Sequence, residues 1–200
     1  VSEHHQEATM PLLSTYTPPA ADLDRLGRLG LAVGGVGALA TAGFGFMNPA
    51  RFFQAYLTAY VWVLGITLGS FGIMCIHHLS RGGWGLMIRR TLEAATRTIP
   101  FLALAFAPIA LGMKSLYPWA REHGHAHGLR AVWLTPTGFI ARAALCFIIW
   151  AIISYALSSM SLKQDKTGEL RLRKRMQSLS SGALALHVLA MTSCAIDWLM

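Results

Sequence analysis

Residues 139–160, FIARAALCFIIWAIISYALSSM, hold a single charged side chain, Arg142. Coiled as a helix, such a run rises about 33 Å, enough to cross a hydrocarbon core of roughly 30 Å. A lipid-immersed backbone must satisfy its own hydrogen bonds, which a helix does within one segment. Comparable runs lie at about 28–47, 53–76, 94–113 and from about 179 to Met200. Hydrophobic residues make up 54% of the chain and charged ones 13%, against about a quarter charged in soluble domains. The sequence therefore predicts an all-α, polytopic transmembrane helical bundle of about five spans, with spans two to five as a four-helix bundle.

The net charge of +8 does not point to nucleic acid, because the basic residues sit between apolar runs. Their distribution orients the chain instead. Twelve flank one side: Arg25, Arg28, Arg81, Arg89, Arg90, Arg97, Lys163, Lys166, Arg171, Arg173, Lys174 and Arg175. Four flank the other: Arg51, Lys114, Arg121 and Arg130. Basic residues accumulate on the cytoplasmic side, so the N-terminus is expected there. Residues 1–25 read as a polar cytoplasmic tail, with His4 and His5 solvated, and residues 26–200 as the transmembrane domain.

Inside the spans, Gly65 and Gly69 form a G-x-x-x-G step that suits close helix packing. Pro100 and Pro108 fall within span three, and Pro108 is expected to kink it.

Ionisable groups in a span are costly unless paired or hydrated, which makes each a functional candidate. If span five starts near Leu179, Asp197 lies about 27 Å along it. Arg142 lies about 5 Å into the antiparallel span four from the same side. The two reach similar depths and could form an ion pair. His77 and His78 end span two, and Glu93 and Arg97 are spaced i, i+4 to share a helix face. His187 lies about 12 Å into span five. These residues, with Thr192 and Ser193, suggest a proton path ending at Asp197. His187 and Asp197 stand about 80° apart around the helix, so water would have to bridge them. The competing reading is a set of separate helix–helix hydrogen bonds.

Cys75, Cys146 and Cys194 lie singly in apolar runs, with no C-x-x-C pattern for an iron–sulfur cluster or a haem attachment. Small buried hydrophobes are the expected role. His123, His125 and His127 alternate in REHGHAHG, a spacing open to a metal site in an extended segment. The flanking glycines favour a solvated loop, and no metal is expected.

Four segments in order, HHLSRGGWGLMIRRTLEAATRTIP, LYPWA, FIARAALCFIIW and HVLAMTSCAIDWLM, resemble a membrane subunit of bacterial alternative complex III. The match is to its ActF-type subunit (quinone-binding subunit 2), in the polysulfide-reductase-like membrane anchor family, over about residues 52–200. The resemblance implies an integral, non-redox subunit of a respiratory quinol:electron-acceptor oxidoreductase in the bacterial inner membrane. It also implies that this chain is the N-terminal half of a longer subunit. Implied partners are a homologous quinol-oxidising membrane subunit, an iron–sulfur subunit and haem c subunits, with the redox cofactors in those chains. Quinone binding here is left open. Onto a structural and proton-translocating role the resemblance carries His77, Glu93, Arg97, His187 and Asp197. A secondary transporter and a purely structural anchor are the rival readings.

Overall fold

The computed structural model describes residues 20–80, 85, 87–121 and 133–199. His4, His5, Arg81, the His123–His125–His127 alternation and Arg130 lie outside the described residues. The chain divides into two compact units, Val1–Met47 and Asn48–Met200. In the first, α1 runs over Ala20–Met47, long and apolar enough to span a bilayer.

The second unit holds the other four spans. Helix α2, Pro49–Ser80, opens on a proline, whose missing N–H costs nothing in a first turn. The third span, expected near 94–113, starts earlier and is broken into α3 (Arg89–Thr96), α4 (Ile99–Ala105) and α5 (Ala107–Leu111). Both prolines mark breaks, Pro100 opening α4 and Pro108 opening α5, because neither can continue the ladder of the preceding turn. Two tyrosines one turn apart on α2 reinforce the broken segment. Tyr56 donates its hydroxyl to the Ala105 carbonyl at 2.7 Å and Tyr60 to the Leu102 carbonyl at 3.0 Å. Short α6, Met113–Leu116, and a 3₁₀ turn, Pro118–Ala120, follow.

Helices α7 (Pro136–Thr167) and α8 (Leu170–Leu199) form a hairpin. Thr135 caps α7 by accepting the Gly138 N–H at 3.1 Å. Gly168 ends it with φ of 66°, a left-handed conformation that suits glycine. On the hairpin side the two helices extend past the expected spans, α7 to Thr167 rather than residue 160 and α8 from Leu170 rather than residue 179. The charges of Lys163–Arg175 read as a loop, yet Ser161, Leu172 and Met176 are buried and keep the two helices paired.

The core runs along one seam. On α8 the buried residues Met176, Ser180, Ala183, His187, Ala190, Cys194 and Asp197 alternate by four and three, the repeat of interlocking antiparallel helices. Trp150, Phe71, Phe139 and Leu68 fill it with almost no exposure. Gly65 and Gly69 do not take part. They are exposed, and a Cβ at either would meet nothing within 4 Å. The expectation of close packing at that step is corrected for this unit.

Candidate functional site: two charged clusters joined by a polar seam

The first cluster gathers at the hairpin end. Glu93 on α3 is buried, with 4% of its surface exposed. Its carboxylate takes Arg90 Nη1 at 2.5 Å, the Ser161 hydroxyl from α7, and Arg89 Nε at 3.8 Å. Arg89 also reaches Asp165 on α7 at 2.5 Å, and Arg90 bonds the other oxygen of the same carboxylate. Two guanidiniums and two carboxylates thus stitch α3 to α7. The Glu93–Arg97 pairing is corrected: the Arg97 side chain is exposed, and the i−4 and i−3 arginines hold the glutamate instead.

Buried His77 and half-buried His78 stand beside this cluster at the end of α2, their rings 5.6 Å apart. Gly85 packs so closely on His77 that a Cβ there would fall into the imidazole ring.

The second cluster closes the opposite end. Asp197 receives Arg142 Nε at 2.6 Å and Nη2 at 3.1 Å, a fork that engages both oxygens. Trp133 donates its indole N–H to the same carboxylate at 2.9 Å. The Arg142 guanidinium also lies over the Trp133 ring, 4.3 Å from its centroid, adding a cation–π contact. Nearby, Tyr117 donates to the Trp198 carbonyl at 3.0 Å. Burial, with Asp197 adding to it, pushes the Tyr117 phenol up to about 12.

Between the clusters lies His187, half-way along the seam. Its ring centroid is 5.1 Å from Phe71 and 6.1 Å from Trp150. Gly72 backs it, close enough that a Cβ would touch Nε2 at 3.5 Å. On α7, Ser154, Ser158 and Ser161 share one buried face at i, i+4 and i+7 spacing. Ser161 serves Glu93. The hydroxyls of Ser154 and Ser158, Trp150 Nε1 and His187 Nδ1 are buried with no hydrogen-bond partner among the described residues. Buried polar atoms nearly always find partners, so a run of four is a place where internal water would bond.

The proposed steps through Thr192 and Ser193 need correction. Thr192 is exposed and its hydroxyl bonds back to the Val188 carbonyl at 2.9 Å, while Ser193 is only half-buried. Ala190 and Cys194 occupy the seam between His187 and Asp197 instead. The aromatic rings of Phe106, Phe147 and Trp198 pack together at this level.

Sequence reasoning did not single out Trp133, Asp165, the Arg89–Arg90 pair, Trp150 or the serines Ser154, Ser158 and Ser161. The serine spacing on α7 was readable as a helical stripe. Asp165 was not, since it lies more than seventy residues from its partners.

Among the described residues, no group of three or more His, Cys, Asp or Glu could hold a metal ion. An apolar groove includes Leu64, Gly65, Leu68, Met191, Cys194 and Trp198 in its lining. Among the described residues its lining holds no charged or hydroxyl side chain, and Trp198 brings to it an indole N–H that has no hydrogen-bond partner. Fold and site together define an integral membrane protein built as a helical bundle, with buried charge at both ends. No protein-family model and no curated protein matches the chain.

Proposed function

We propose that this chain is an integral membrane subunit of a respiratory quinol:electron-acceptor oxidoreductase of the alternative complex III type. In this reading its N-terminus is cytoplasmic, the membrane is the bacterial inner membrane, and its partners carry the iron–sulfur clusters and haem c. The subunit braces the assembly and carries protons across the half of the bilayer next to the α7–α8 hairpin. The resemblance of its four segments supports the first statement. The observation that carries the second is the buried line from Glu93 through Ser161, Ser158 and Ser154 to Trp150 and His187, with four unpartnered polar atoms inside a hydrophobic bundle. No step is routed through a quinone here.

Arg97 and Thr192 are outside the route, since both are exposed. Asp197 is occupied by Arg142 and Trp133, so a proton reaches it only when that fork opens. His187 is the inner terminus. The reading is tested with the whole complex in vesicles, measuring protons moved per electron. His187→Phe keeps an aromatic ring against Phe71 and Trp150 but removes both nitrogens. It should leave assembly and quinol oxidation intact and lower the proton yield, whereas Thr192→Val should change neither. An unaltered proton yield with His187→Phe would refute the route. Uptake of a solute by the chain without partner subunits would favour a transporter instead.

A further inference from the structure

The charged residues of α7 and α8 act as a depth gauge. No Lys, Arg, Asp or Glu lies between Arg142 and Lys163 on α7, or between Arg175 and Asp197 on α8. Those intervals measure about 32 and 33 Å along the helices, close to the hydrocarbon thickness of roughly 30 Å. If Arg142 and Asp197 mark one boundary, Lys163 and Arg175 mark the other.

Beyond that boundary α7 continues to Thr167, about 6 Å, and α8 descends from Leu170 over about 8 Å. The polar headgroup layer is about 5–8 Å thick on each side. The basic end of the hairpin is therefore as tall as the headgroup layer and no taller.

Within it Lys163, Lys166, Arg171, Lys174 and Arg175 are all exposed. None of these five is in an ion pair among the described residues. The two acids on the hairpin do not offset them equally. Asp165 is taken by Arg89 and Arg90 of α3, leaving Glu169. The display is also fixed in place, since both strands of the hairpin are helical to within two residues of the turn and α7 is tied to α3 through Asp165.

We propose that the α7–α8 hairpin is a binding surface for anionic phospholipid headgroups. These five of its six exposed cations lie at phosphate depth, and their reach ends there, so the surface fits lipids of the surrounding leaflet better than a peripheral acidic protein. The proposal is independent of the proton route. Each basic residue near an anionic surface favours it by about fivefold, and exposed charges of this kind are screened by salt.

The test places the full chain in vesicles of mixed phosphatidylglycerol and phosphatidylcholine. Electron spin resonance then reads the motionally restricted fraction of a spin-labelled trace of either lipid. The expected result is a severalfold preference for phosphatidylglycerol. It should vanish in the five-site variant K163Q/K166Q/R171Q/K174Q/R175Q and persist in Lys114→Gln, an exposed cation outside the hairpin. The same loss should follow for the unmodified protein at roughly 1 M salt, where the screening length is about 3 Å. That arm stands even if the five-site variant fails to fold. Equal restriction of both lipids by the unmodified protein would overturn the proposal, as would a preference surviving salt or the five substitutions. Loss of the preference to inorganic phosphate at constant ionic strength would assign the surface to free phosphate and overturn it too. So would binding of an acidic peptide by a protein that shows no lipid preference.

Discussion

Removing Arg142 tests how the far cluster holds α7 to α8. The guanidinium makes two charge-assisted bonds to Asp197 and lies over Trp133. Asp197's side chain is 3% exposed and Arg142's 20%. Breaking a buried pair by deleting one partner costs about 3–5 kcal/mol, because a charge is left without compensation. Water reaches the Arg142 side, and the Trp133 N–H would remain on the carboxylate, so the lower end applies. Arg142→Met should therefore destabilise the fold by about 3 kcal/mol. Asp197→Asn keeps an acceptor for Trp133 and should cost less. The double variant Arg142→Met/Asp197→Leu removes both charges and should recover much of the loss, since an apolar replacement of a buried pair is often neutral. Unfolding followed by circular dichroism in mixed micelles, with Asp197→Leu measured as the second single variant, closes the Arg142→Met/Asp197→Leu cycle and supplies the coupling. A coupling of about 2 kcal/mol is expected; energies adding to within about 0.5 kcal/mol would show that the two residues act independently and refute the reasoning.

Gly85→Ala would drive a methyl into the His77 ring, and overpacking of that kind costs about 1–3 kcal/mol, measurable by the same unfolding assay; an unchanged stability would mean that the His77 ring yields freely. Tyr117 gives a pH signature. Its phenol has an ordinary value of 10.0 and is raised to about 12 in the fold, so the neutral form is the one the fold favours. Its contribution is fully present below pH 10, where folded and unfolded phenols are both protonated. It is lost as pH climbs from 10 toward 12, by about 2–3 kcal/mol in all. Tyr117→Phe should flatten that part of the stability profile, and ultraviolet titration of the tyrosinate band should lose one late-ionising group.

The spans were legible because lipid leaves a chain few options: twenty apolar residues in a row become a helix, and four such runs pack along their small and aromatic faces. The break at Pro108 was legible for a similarly local reason, whereas the one at Pro100 was not read from the sequence. Span ends were harder. The stretch from Lys163 to Met176 is charged on its outside and apolar at Leu172 and Met176, so its charge read as loop while its buried face made it helix. The depths of Arg142 and Asp197 came from counting rises in two antiparallel helices, which needs no knowledge of rotation. Rotation is where the sequence fell short. Thr192 and Cys194 differ by two residues on α8, and only the packing against α2 and α7 turns Cys194 inward and leaves Thr192 outside. Glu93 had three arginines within reach on its own segment. The choice of Arg89 and Arg90 over Arg97 depends on Asp165, which draws the first two toward α7.

The seam itself is unequal in its two halves, and that bears on what the bundle can do. From Ser161 to Trp150 on α7 is about 17 Å, and it holds Ser158, Ser154 and the His187 contact. From Trp150 to Arg142 is about 12 Å, and the buried residues there are Phe147, Cys146 and Ala143, faced by Ala190, Cys194 and Trp198 of α8. Among the described residues the polar groups of that half are the thiols, the Trp198 indole and the phenols of Tyr60 and Tyr117, and each phenol is spent on a backbone carbonyl. A bundle that served solely as a brace would gain nothing from four unpartnered polar atoms on one side, since each costs stability that an apolar residue of equal size would not. A continuous wire for protons would need the other side to be polar as well. In the proposed reading, the proton route runs from the hairpin end to His187 and is closed beyond it by aromatic packing. Passage to Asp197 then requires the rings of Phe147 and Trp198 to part and the Arg142 fork to release. Those are two movements of the same helix pair, so a single displacement of α8 against α7 would perform both.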